Sequence, residues 1–200
     1  MEAEEIIAMR CAAHGLSAKK PGREIVRGLC GLQSQFAMQA RHALTIRASD
    51  GDAALANCVR TWTMRGTMHT ILRADAPLYL YDGRTHALRP CDRMEGDERM
   101  NAERKWALGE IIREAIRNGE GERERLRQIC RANGMTEDEE KSAFDAWGGL
   151  LRAMAENGEI AYAAEAGKRF VLLEPHESWE KERARNEILR RYFAGYGPAT

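Results

Sequence analysis

Two amides set the first question. Gln33 and Gln35 stand either side of Ser34 in the stretch "LCGLQSQ", residues 29–35. A glutamine has no useful pKa, so neither residue can act as a strong general base or as an acid. An amide can orient an attacking water, a role glutamine fills in some phosphoryl-transfer enzymes. Chemistry of that kind requires both side chains to converge. In a continuous helix residues two apart point about 200° from each other, so convergence needs a turn near Gly31–Ser34. The plainer alternative is a pair of helix-end glutamines in water.

Other polar residues are candidates for phosphate or site contacts. His42 lies one to two turns beyond Gln35 and could share its face with Gln39, while His69 follows an Arg65-Gly66 turn on a returning strand. Arg65 at that turn could reach a minor groove or a phosphate, against the alternative of a solvated turn. A lone histidine is more often packed or solvated, and no second ligand of suitable type stands at i+3 or i+4, so metal ligation is set aside. Trp62, Trp106 and Trp147 are read as core aromatics.

The elements that must position these residues follow from apolar spacing. A short helix over Glu2–Ala13 closes at Gly15 and Ser17. Ile25, Val26, Leu29 and Leu32 mark the buried stripe of a second helix, which Gly31 ends. Phe36, Ala40, Ala43 and Leu44 restart helical spacing, with Ser34 as the expected N-cap, so "QSQ" is placed at a junction between helices. A helix over 53–59 then leads to "RTWTMRGTMHTIL", read as a β-hairpin. Three helices and a basic hairpin are the layout of a winged helix.

The order repeats. Residues 76–89 read as a helix, and 90–99, "PCDRMEGDER", has the composition of a linker. Helices follow at about 100–118, 122–133 and 136–157, the last opened by a Thr136/Glu139 capping box. Glu159–Leu173 reads as a second hairpin, and Ser178–Tyr192 as a further helix. The closing "GYGPAT" suits the start of another helix, so a further, truncated domain is expected over 176–200. The fold class expected is mainly α with small β-hairpins (α+β), in tandem winged-helix domains over 1–89 and 100–175.

Composition narrows the function classes. Two hundred residues, 44% hydrophobic, are enough to bury a core. No apolar run approaches the roughly 18 residues needed to span a bilayer, and the acidic start "MEAEEII" is unlike a signal peptide, which points to the cytoplasm. Five scattered cysteines with no CxxC pair suggest neither a disulfide framework nor a zinc knuckle. Formal charge is zero overall, yet residues 17–73 carry nine basic and three acidic residues, a local excess of +6. A basic region in a neutral protein is the pattern expected where one face meets a polyanion.

The stretches "IVRGLCGLQSQ" and "VRTWTMRGTMHTIL", and the ending "YFAGYGPAT", resemble the winged-helix DNA-binding family of AlkZ/YcaQ-type bacterial DNA glycosylases, over roughly its N-terminal half. Members of that family are described as tandem winged helices plus a small β-barrel that excise alkylated purines and unhook interstrand crosslinks. Its catalytic motif in the AlkZ branch is Gln, an aliphatic residue, then Gln. By this resemblance Gln33 and Gln35 are the catalytic pair, and Ser34 departs from the pattern by filling the aliphatic slot, where a small polar residue is expected to pack less firmly.

The resemblance implies hydrolysis of the N-glycosidic bond of alkylated or crosslinked purines in double-stranded DNA, with no metal or cofactor. An N7-alkylated purine is already cationic, so its departure needs no acid of the kind glycoside hydrolases employ. Two amides holding water and presenting carbonyl dipoles to the sugar cation would then suffice. Lys19, Lys20, Arg41, His42, Arg47, Arg65 and His69 are the expected DNA contacts. The alternatives are a non-catalytic winged-helix DNA-binding protein, such as a transcriptional regulator, and a winged-helix scaffold for another protein. Fold does not choose among them.

Overall fold

A computed structural model of the chain describes residues 2–63, 66–81, 90–146, 148–165, 168–175 and 177–197. It is mixed α/β, helices with short antiparallel strands, in two compact units: residues 1–84 with 164–167 and 176–200, and residues 85–163 with 168–175.

In the first unit, α1 (Ala3–Ala13) precedes α2 (Gly22–Gly28), whose Ile25 and Val26 are buried. The Gly22 N–H donates to Asp50 Oδ1 at 2.5 Å, which satisfies one free amide at the helix start. Two left-handed residues then reverse the chain, Cys30 at φ 53° and Gly31 at φ 85°. Glycine is required at the second, because a Cβ there would stand 2.9 Å from Ile71 Cγ2 as well as in a strained conformation.

That reversal lays β1 (Leu32–Gln33) against β3 (Met68–Leu72), pairing Leu32 with Thr70 and Gln33 with His69. β3 is also paired with β2 (Cys58–Trp62), from Cys58↔Leu72 to Trp62↔Met68, so the expected hairpin is present. Between β1 and β2 run α3 (Ala37–Arg47), which buries Ala40 and Leu44, and α4 (Gly51–Ala56). Ile25, Val26, Leu29, Leu32, Leu44 and Leu55 form the centre of the core.

Ser34 is not the N-cap of α3. That position belongs to Phe36, whose backbone N–H donates to Gln39 Oε1 at 3.0 Å. Helical structure between 76 and 89 is limited, among the described residues, to α5 (Ala76–Tyr79), and 82–89 lie outside them. α10 (Lys181–Tyr196) belongs to this unit and lies against α1 and α2. Arg191 and Arg27 both reach Asp75, at 2.9 and 3.3 Å, and the Tyr196 hydroxyl donates to the Leu29 carbonyl. The approach is so close at Gly195 that a Cβ would fall 1.8 Å from the Gly28 carbonyl oxygen.

In the second unit α6 (Ala102–Arg117) is capped by Asn101 and buries Leu108, Ile112 and Ile116, with α7 (Arg123–Ala132) packed against it. The Thr136/Glu139 capping box opens α8 (Glu137–Ala143). The single helix expected over 136–157 is broken: α8 stops at Ala143 with Phe144 as its C-cap, and α9 (Leu150–Glu156) starts only after Gly149, its N-cap at φ 77°. β4 (Ile160–Ala163) and β5 (Phe170–Leu172) form the second hairpin. Asp92 and Asp97 anchor the 90–99 stretch to this unit, Asp92 accepting from the Gly149 N–H and Asp97 pairing with the fully buried Lys105 at 2.7 Å. Trp106 is not a core residue: it is 48% exposed. Trp147 lies outside the described residues.

Among the described residues, no helix is long and apolar enough to cross a membrane.

Candidate functional site

From Leu32 to Gln35 burial alternates, with Leu32 and Ser34 inside and Gln33 and Gln35 exposed. That period of two belongs to an extended chain, and the Ser34 N–H extends the β1 ladder by donating to the Met68 carbonyl at 3.0 Å. Side chains two apart on an extended segment lie on one face. The divergence that a helix would have imposed on Gln33 and Gln35 is therefore absent.

Ser34 fills the inward position between them. Its hydroxyl lies 2.8 Å from the Thr70 hydroxyl in a fully buried contact, so a polar side chain is held there by a hydrogen bond in place of apolar packing. The looser packing expected at this slot is met by a matched partner on β3. Arg60, buried on β2 and paired across the ladder with Thr70, directs its Nη1 at the carbonyl oxygens of Ser34 and Gln35, at 3.5 and 3.4 Å. A guanidinium thus sits beneath the backbone that carries both amides. Sequence reasoning missed Arg60, although an arginine inside the strand-like run "CVRTW" is the signal of a charge with a specific internal partner.

The expected DNA contacts separate into groups. Arg41 and His42 lie on the outer side of α3, Arg41 in an exposed ion pair with Asp52 and His42 exposed. Lys20 and Arg47 meet at the other end of that helix, where the Lys20 N–H donates to the Arg47 carbonyl at 3.0 Å, with Lys19 exposed beside them. Eleven residues of helix span about 16 Å, so α3 separates the glutamines from this second basic group by about that length. His69 is not at the surface. It is fully buried, and its Nδ1 lies 3.1 Å from Thr63 Oγ1 and 3.0 Å from the Thr67 carbonyl oxygen, because β3 runs through the interior. Arg65 lies outside the described residues.

Other nucleophiles are poorly placed. Burial pushes the thiols of Cys58 and Cys130 up to about 12, leaving both as neutral thiols at ordinary pH. Among the described residues there is no group of three or more His, Cys, Asp or Glu side chains able to hold a metal ion.

A family model described as "DNA glycosylase AlkZ-like" matches residues 26–200. A search of curated proteins finds no match. Among solved structures the chain is similar to the Streptomyces sahachiroi DNA glycosylase AlkZ, with a TM-score of 0.67 at 20% sequence identity. The likeness, one of fold, covers 100% of this chain and 59% of that one, so the chain spans well under two thirds of its structural relative.

Proposed function

The chain belongs to the AlkZ-like DNA glycosylase family, and from that membership we propose that it acts in DNA repair by hydrolysing the N-glycosidic bond of cationic, alkylated or crosslinked purines in duplex DNA. The observation that carries the reading is the alternation at Leu32–Gln35, which leaves both glutamines exposed on either side of the buried Ser34. Gln33 and Gln35 hold the attacking water and offer their carbonyl dipoles to the positive charge that develops on the sugar. The leaving purine is already charged, so no general acid is needed, and the weakness of the amides spares undamaged bases. Arg60 orients the segment from beneath, and Ser34 locks it to β3.

In the proposed arrangement a first winged helix within about 1–89 presents this surface to DNA, and 100–175 holds a second winged helix. α3 is the helix that faces the duplex, with Lys19, Lys20, Arg41, His42, Arg47 and Arg65 on backbone phosphates. The site requires no cofactor, and the compartment proposed is the cytoplasm. Incubation with N7-methylated duplex DNA tests the reaction: free 7-methylguanine is expected in the supernatant. Tight, steeply salt-dependent duplex binding without release would instead assign a non-catalytic DNA-binding role.

A further inference from the structure

Phe36 and Met38 are 70% and 68% exposed, the two most exposed large apolar side chains among the described residues. Phe36 immediately follows Gln35, and Met38 stands two residues further on. Neither is on a loose segment. Phe36 is the N-cap of α3, its backbone N–H held by the Gln39 side chain, and the same helix is pinned to the core by Ala40 and Leu44, both fully buried. Leaving a phenylalanine and a methionine in water forgoes the burial free energy that the rest of the core gains, so a rigid apolar tip of this kind marks a contact surface.

The neighbours indicate what that contact is. On one side stand two uncharged amides, Gln33 and Gln35, and on the next turn of α3 stand Arg41 and His42. Exposed apolar side chains set in sequence between hydrogen-bonding and cationic groups are the composition of segments that enter a base step while their neighbours hold the sugar and phosphate. Glycosylases work on a nucleotide freed from its stack, so opening one base step favours hydrolysis beside the amides.

We propose that Phe36 and Met38 form a wedge that enters the base stack of duplex DNA beside the damaged purine and exposes the glycosidic carbon to Gln33 and Gln35. This rests on the glycosylase reading for the identity of the partner. The wedge unstacks one base step, and the opened step is what the amides then address. It acts by contact with bases, so it is separable from phosphate binding by the basic residues.

The test uses a duplex with 2-aminopurine next to 7-deaza-7-methylguanine, which resembles the lesion and cannot be excised. Binding of the protein is expected to raise 2-aminopurine fluorescence several-fold. Phe36→Ser with Met38→Ser is expected to abolish the rise, leaving the salt dependence of binding and the melting temperature unchanged, and Phe36→Trp to restore it. Release of 7-methylguanine by the double variant is expected to slow by about tenfold, the scale of one lost stacking contact. A wild-type protein that binds without the rise, or a double variant that retains it, overturns the wedge. A normal rise without release by the wild type overturns the glycosylase reading and leaves the wedge standing, so the two failures are distinct.

Discussion

The Ser34 and Thr70 hydroxyls lie 2.8 Å apart, fully buried, beneath the two exposed amides of Gln33 and Gln35. The contact fastens the amide-bearing segment to β3 with a directional bond, where an aliphatic side chain would have relied on packing alone.

Removing one hydroxyl leaves the other buried without this partner, a loss of about 1 kcal/mol for a neutral pair. Ser34→Ala and Thr70→Val are each expected to lower stability in urea denaturation by about that much. The double variant is expected to lose less than the sum, with a coupling of about 1 kcal/mol. Strict additivity would mean that the bond does not hold the segment.

Gln33→Ala and Gln35→Ala remove exposed side chains, so stability is expected to stay within about 0.5 kcal/mol of the parent. Excision of 7-methylguanine is expected to fall about 100-fold in each, the scale of losing one preorganised polar group at a developing charge. Duplex affinity, measured by fluorescence anisotropy, should hardly change. Equal loss of affinity and rate would move both residues from chemistry to binding.

Arg60→Met withdraws the guanidinium from the carbonyls of Ser34 and Gln35. A positioning residue of this kind is expected to lower the single-turnover excision rate while half-saturation by DNA moves little. Arg60→Lys should recover part of that rate, since both carbonyls are met by a single nitrogen, Nη1, whose charge and donors an ammonium supplies in part. A fall in stability with an unchanged rate per folded molecule would reduce Arg60 to a purely structural role.

Hydrogen bonds from Arg190 and then Arg191 hold the Glu187 carboxyl down to about 2, against an ordinary value of 4.5. A carboxyl depressed in the folded state contributes stability that is fully present above the ordinary value and is lost as pH falls towards the folded one. Thermal melts are therefore expected to show stability dropping between about pH 5 and pH 2, with a shallower drop in Glu187→Gln. Identical pH profiles in the two proteins would show that these bonds add nothing to the fold.

Elements with many repeats of one period were legible in the sequence. α2, α3, α6 and α7 declared themselves through apolar residues every three or four positions, both hairpins through β-branched runs around glycine, and α8 through its Thr136/Glu139 cap. β1 has two residues, too few for any period to register, so a serine beside a helix start has the sequence signature of a cap although it is the inward residue just past a strand. His69 looked like a surface histidine for a similar reason: every residue of β3 is buried, and alternation, the sign of a solvated face, was never there to be read.

By itself the sequence determined which residue types stand at 33–35, that the flanking segments are helical and that this part of the chain is basic, because composition and local periodicity are carried by neighbours along the chain. Tertiary structure alone decided that Gln33 and Gln35 are both exposed while Ser34 between them is buried, that Ser34 meets Thr70 and that Arg60 reaches the carbonyls of Ser34 and Gln35. Those relations depend on the register of β1 against β3 and of β3 against β2, and register is set by the left-handed turn at Cys30–Gly31 and by a core assembled from residues far apart in sequence.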